Sequence, residues 1–407
     1  MRFGEVSRDS VEQVHRRAAE WFRRHEVYEE ALHHAVEVDD FDFAADVLNI
    51  WASKLVPNGH LITIKRWFNR LPLREVQSRP DLARKVAWTL IFLRRHAAVG
   101  PVLAALTDSD SEADSQHTGD LNVVRSMAAI MNDDIAGAFQ FVDRVQVRDQ
   151  RPEGFWAFEL GAAANLTAYR AMVIGDLDRA RASLSLAHAY NESVDATFSG
   201  DYSIGLSGMH LITQGMLPKA LERFKTASSA QFQDSIADSA LLDFVAVAYL
   251  SIARIHEARG HSSRVMEVLD EAENIDHANR WPRLVRMVMW EQVRNALLGG
   301  DVKRAASLAA QLKFESADVL PSAWLPFSED VAGDVIGEIR LNIHMGNLAR
   351  AQEQVNAESA LALSHGRVHR QIKLHVLEAL LQTRLGDHSL ARRSLRKALR
   401  LAQAGGV

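Results

Sequence analysis

A helix-breaking turn recurs about every 40 residues along most of this chain, at Arg94, Asp133, Gly175, Gly215, Gly260, Gly300, Gly346 and Gly386. The steps between these positions are 39, 42, 40, 45, 40, 46 and 40 residues. Five residues after each turn stands a small residue: Val99, Ala138, Ala180, Ala220, Val265, Ala305, Ala351 and Ala391. Seven before it stand Ala87, Ser126, Ala168, Gly208, Ala253, Val293, Ile339 and Ala379. A fixed period of this size marks a solenoid, in which each unit buries its apolar face only by stacking on its neighbours. Such an array presents an extended concave surface, which suits binding better than catalysis.

Each unit reads as two antiparallel helices. Before Gly175, Leu160, Ala164, Ala168, Ala171 and Met172 recur at helical spacing. Gly175 then supplies the left-handed conformation that ends a helix, and Asp176 supplies a cap for the next. Two helices joined by so short a turn can approach closely only where both side chains are small. A third small position follows twelve residues after the turn, at Ala187, Ala227, Ala272 and Ala398, with a bulkier apolar residue between at Leu184, Phe224, Leu269 and Leu395. This is the tetratricopeptide pattern, with a period longer than its usual ~34 residues. The expected fold is all-α: a right-handed superhelix of tetratricopeptide-like helix pairs, an α-solenoid, over residues 82–407. Residues 1–81 form a helical arm out of phase with the repeat, with short amphipathic helices at Glu12–Arg24, Tyr28–Glu37 and Phe41–Lys54. The polar stretch 107–120, with five acidic residues and three Ser, reads as an exposed loop.

Composition removes several functions. The absence of Cys excludes disulfides, thiol nucleophiles and thiolate metal sites, and fits a reducing, cytoplasmic setting. No apolar run reaches the ~18 residues of a membrane span. A net charge of −5 disfavours direct DNA binding, although Gly366 to Arg400 carries nine Lys/Arg against Glu378 and Asp387. No Gly-x-x-x-x-Gly-Lys-Ser/Thr or Gly-x-Gly-x-x-Gly loop occurs. Gly205-Leu206-Ser207-Gly208 lacks the spacing of a nucleophile elbow. His365 and His369 have a metal-ligand spacing, but Gly366 weakens the helix between them. No catalytic residue, metal site or cofactor is expected, and the chain reads as a non-enzyme.

The N-terminal third carries a more specific signal. Val14-His15-Arg16-Arg17-Ala18-Ala19-Glu20-Trp21-Phe22 is followed by Glu30-Ala31-Leu32-His33-His34-Ala35 and Asp40-Phe41-Asp42-Phe43-Ala44-Ala45-Asp46. Gly59-His60-Leu61, Trp67-Phe68-Asn69-Arg70-Leu71-Pro72, Arg79-Pro80-Asp81-Leu82 and Ala87-Trp88 come next. In this order the series resembles the MalT-like large ATP-dependent LuxR-family transcriptional regulators of bacteria, and the resemblance runs through the repeats. It implies a sensor region whose concave face binds a small-molecule inducer or a regulatory protein and controls oligomerisation. The family's ATPase precedes this region and its helix-turn-helix follows it; neither has residues here, so ATP and DNA are not expected to bind this chain. A monomer or weak dimer is expected. The alternative is a general tetratricopeptide scaffold for protein partners.

Aromatic and polar clusters on first helices nominate ligand-binding residues. Phe155, Trp156 and Glu159 open one cluster, with Asn165 and Tyr169 beyond; Tyr202 and His210 flank the next. Trp281, Arg283 and Trp290 mark a later one, and Trp324, Phe327 and Asp330 another. Aromatic walls with a few polar groups suit a sugar or aromatic metabolite.

Overall fold

Left-handed residues end many of the helices in this chain, and Asp caps several of the helices that follow. Gly175, Gly215, Gly260, Gly300, Gly346 and Gly386 all have φ between 70° and 84°, and Arg94 takes the same region at 54°. Asp134, Asp176, Asp301 and Asp387 then accept a hydrogen bond from the backbone N–H three residues on, which satisfies a helix-start donor. The computed structural model describes residues 8–107, 120–132, 134–145, 154–194, 196–227, 242–279, 282–315 and 333–406. Among these residues the chain forms helices and no strand. The proposed loop at 107–120 lies almost wholly outside them.

The arm comprises α1 (Arg8–Arg24), α2 (Tyr28–Glu37), α3 (Phe41–Leu55), α4 (Leu61–Phe68) and α5 (Leu73–Gln77). Eight helix pairs follow: α6 (Pro80–Phe92) with α7 (His96–Thr107), α8 (Leu121–Met131) with α9 (Ile135–Val142), α10 (Gly154–Val173) with α11 (Leu177–Ser193), and α12 (Thr197–Thr213) with α13 (Leu217–Ala227). They continue as α14 (Leu242–Ala258) with α15 (Ser262–Asn279), α16 (Pro282–Leu298) with α17 (Val302–Glu315), α18 (Asp334–Met345) with α19 (Leu348–Ser364), and α20 (Val368–Leu385) with α21 (His388–Ala404). The fold is all-α and built as a solenoid.

The small residues sit where the helices of a pair cross. Ala87, Ala168, Ala180, Ala220, Ala253, Ala305 and Ala351 are wholly buried. At Gly208 a Cβ would lie 2.3 Å from the Phe224 ring, so this crossing admits no side chain at all. Each first helix also packs on the first helix of the next pair, in an unbroken series from α6 to α20, with no comparable series between second helices. First helices are therefore closer together and line the inner side of the array. The arm is fastened to the same body: α3 packs on α6, and the Phe198 N–H donates to the Pro57 carbonyl at 3.1 Å. One continuous buried core runs from Ala19 to Ile255. Farther along, α20 comes back against α10, and a Cβ on Gly175 would meet Val368 at 3.4 Å and Gly405 at 3.7 Å.

Replacing Ala305 or Ala220 by Trp is expected to wedge a pair open and destabilise the fold by ~1–3 kcal/mol or more. Urea and thermal melts matching the parent would mean that the crossings lie elsewhere. Gly300→Ala is expected to cost about 1 kcal/mol through its positive φ alone, since nothing lies within 4 Å of the added methyl.

Candidate functional site

The inner wall is built from first helices, and its polar groups bridge one repeat to another. On α10, Glu159 is 1% exposed. Its Oε2 accepts from Arg84 at 3.2 Å and its Oε1 from the Trp88 indole at 2.8 Å, both on α6. Burial raises its pKa, and Arg84 and Trp88 only partly oppose this. Beside it the Lys85 ammonium donates to the Asn49 carbonyl and side chain at 3.0 and 2.7 Å and lies 5.6 Å above the Phe155 ring. Burial pulls the Lys85 pKa down to about 8, against the opposing pull of Asp81 and Glu159. Glu159 thus ties α10 to α6 and is not available to a ligand as a free carboxylate.

The next wall segment is a neutral network. Asn165 on α10 donates to the Ser199 carbonyl at 3.2 Å and accepts from the Ser203 hydroxyl at 2.9 Å; Asn191 donates to that hydroxyl at 3.0 Å. Tyr169 is buried. Trp156 and Phe155 are half-buried against the core. Tyr202 is also half-buried, edge-on to Phe198 at 5.5 Å and stacked over Phe92 at 6.4 Å. Its neighbour Asp201 is half-buried, and burial raises its pKa to about 6. His210 is 5% exposed, with both ring nitrogens lacking a hydrogen-bond partner among the described residues. Burial, then the nearby Arg181, lower its pKa, with Asp178 opposing.

Further on, Trp290 of α16 is buried with its ring against Gly337 of α18, where a Cβ would come within 2.3 Å. Its indole donates to Asp334, which also takes the Arg286 guanidinium at 2.7–3.0 Å. Trp290 is thereby a packing residue between two repeats. Trp281 and Trp324, with Phe327 and Asp330, lie outside the described residues, as does the Arg283 side chain.

Sequence reasoning missed a charged network between α14 and α16. Glu291 of α16 is fully buried and receives two hydrogen bonds from Arg254 of α14, at 3.1 and 2.9 Å. Arg294 also donates to it, at 2.9 and 2.7 Å, and reaches back to Glu257. Burial opposes ionisation of Glu291, but the two guanidinium groups win and hold its pKa at about 2. The signal was present in the sequence, because Arg254 and Arg294 both stand six residues before a turn glycine. Outside this wall, an open cleft borders Pro218, Leu221, Glu222, Lys225 and Arg259, none of them a nominated ligand residue. At Gly366 the chain turns with φ 62°, so His365 and His369 do not share a helix.

No protein-family model matches the chain. It is 22% identical to the HTH-type transcriptional regulator MalT of Vibrio campbellii over 284 residues, which are 68% of this chain and 31% of that protein. The MalT of Vibrio cholerae is 22% identical over 413 residues, 93% of this chain and 45% of that protein. The chain is MalT-like. It spans less than a third of the length of the Vibrio campbellii MalT. The serine/threonine-protein kinase PknK of Mycobacterium tuberculosis is 27% identical over 224 residues, 53% of this chain and 20% of that kinase. No helix among the described residues is long and apolar enough to cross a membrane.

Two pH effects follow. Glu291 is depressed, so its contribution is present above about pH 4.5 and is lost as the pH falls toward 2. Glu291→Gln is expected to remove the carboxylate that Arg254 and Arg294 share, at about 3–5 kcal/mol at neutral pH, and to flatten this acid limb in urea melts. His210 is also depressed: between its folded pKa and 6.5 the unfolded chain binds the extra proton. Stability due to His210 is therefore complete above pH 6.5 and falls as the pH drops below it. His210→Leu is expected to weaken that slope between pH 7 and 5; an unchanged slope would assign it to other groups.

Proposed function

We propose that this chain is the sensor region of a cytoplasmic MalT-like transcriptional regulator, and that it binds a small-molecule inducer or a regulatory protein on its inner wall. The observation that carries this is the continuous wall of first helices in a chain similar to MalT over up to 93% of its length. The match to PknK supports an input role. A protein named as a transcriptional regulator and one named as a kinase share similarity to this chain, so the shared part is better suited to sensing than to either output. Kinase chemistry is not assigned here, because the match covers 20% of PknK and this sequence has no Gly-x-Gly-x-x-Gly loop. Trp156 and Tyr202, half-buried on first helices, are our assigned aromatic contacts. Ligand occupancy would act by changing how repeats stack and hence how regulators assemble.

The test is a thermal-shift and tryptophan-fluorescence titration of the chain against a metabolite panel, with Trp156→Ala alongside. One ligand class is expected to raise the melting temperature and to bind Trp156→Ala about tenfold more weakly. Binding of an extended peptide in place of every metabolite would favour the scaffold reading. A mobility-shift assay at physiological salt is expected to find no sequence-specific DNA binding, and light scattering a monomer or weak dimer.

A further inference from the structure

The eighth pair leaves a stacking face of the solenoid uncovered. The residue ten before a turn glycine belongs to the surface that meets the following repeat. At that place Asn165 of α10 bonds to Ser199 and Ser203 of α12, and the Trp290 ring of α16 lies against Gly337 of α18. Leu250, Trp290 and Ile336 hold this place in three successive pairs and are buried, but Val376, the next in the series, is 46% exposed. The residue nine after the turn behaves alike: Leu269, Ala309 and Val355 are buried, whereas Leu395 and, one helical turn on, Leu399 are exposed. Second helices share in the stacking, since each one from α9 to α19 packs on the first helix that follows it. Val376 of α20 with Leu395 and Leu399 of α21 therefore mark a place where one more helix would lie.

The face is basic. α21 carries Arg392, Arg393, Arg396, Lys397 and Arg400, all exposed, and no Asp or Glu. Arg392, Leu395, Arg396 and Leu399 follow at the spacing of one helix face, so two guanidinium groups flank the two leucines. The acids nearby are engaged within the fold. Glu378, the only acid of α20, stands 3.2 Å from the Nδ1 of His375, and Asp387 accepts the Leu390 N–H at 2.9 Å as a helix cap. The basic run noted in the sequence is thus concentrated beside exposed apolar side chains.

We propose that this end face docks an acidic amphipathic helix of a partner protein, laid across α20 and α21 where a following first helix would stack. Its apolar side covers Val376, Leu395 and Leu399, and its Asp or Glu residues meet Arg392 and Arg396. A second copy of this chain is the wrong occupant. Two such faces brought together would set arginine against arginine, and the other end of the array is covered by α3 and α4, which pack on α6. An anionic membrane is a poorer fit too, because three exposed apolar side chains on two packed helices bury little in a bilayer. The proposal does not depend on a ligand at the inner wall.

The test titrates the full chain into a labelled helical peptide with a Leu stripe at helical spacing and Glu on its flanks, read by fluorescence anisotropy. A second peptide has Lys in place of every Glu. The Glu peptide is expected to bind, more weakly as salt rises, and the Lys peptide is not. The double variant Leu395→Ser with Leu399→Ser is expected to weaken binding about tenfold or more. Arg392→Glu with Arg396→Glu is expected to reverse the preference and take the Lys peptide. All four side chains are exposed, so both variants are expected to melt with the parent. No binding of the Glu peptide, equal binding of the two peptides, or binding untouched by either variant would overturn the surface. A stable dimer in light scattering that the Leu395→Ser, Leu399→Ser chain loses would also overturn it and assign the face to a second copy. Binding to phosphatidylserine vesicles in place of the Glu peptide would overturn it in favour of a membrane.

Discussion

The close crossing of two helices at small side chains is the constraint on which this array depends. Ala87, Ala168, Ala253 and Gly208 on first helices, and Ala180, Ala220, Ala305 and Ala351 on second helices, let backbones approach. Leu184, Phe224 and Leu269 are buried on second helices, yet Leu395, at the same place in the last pair, is 45% exposed, with Leu399 at 61%. The difference is positional: each interior repeat is covered by the next, and the last described pair has none.

With apolar contact fixed by the crossings, charged groups add specific links between first helices. Arg84 with Glu159, Arg254 with Glu291, and Arg286 with Asp334 each join one first helix to another. Buried pairs of this kind add little net stability over apolar packing, but a mismatched neighbour would leave a buried charge alone. They work against slippage in an array whose repeats are otherwise alike.

The turn spacing, the Ala positions and the three arm helices were all readable from the chain, because each is written within a few residues of the structure it determines. The wall was not. Glu159 resembled a ligand carboxylate because its partners Arg84 and Trp88 lie 75 and 71 residues earlier. Trp290 was nominated for ligand binding because Gly337, which makes room for its ring, belongs to another repeat. Aromatic content on a first helix does not separate an inter-repeat contact from a groove residue. That distinction depends on the size and charge of the facing residue one period away. Asking what stands at the same place in adjacent repeats recovers part of it, since Arg254, Arg294 and Arg340 align with each other and Glu291 aligns with Gly337.

A linear solenoid passes strain only from each repeat to its neighbour, so a ligand held by one repeat is felt weakly far along the array. Here the eighth pair returns to the third. Val368 and Gly405 meet Gly175, and α20 rests on α10. That contact joins the ends of a six-pair segment, from α10 to α21, in which the arginine row occupies the middle. A small change of angle at α14, α16 or α18 must then be absorbed either by all the first-helix contacts in the segment or by the closure itself. Gly175 has a left-handed φ of 83° there, and a Cβ on it would stand in ordinary van der Waals contact with Val368 and Gly405. Closure thereby couples distant repeats, because a change of angle in one pair is opposed by the closing contact as well as by its neighbours.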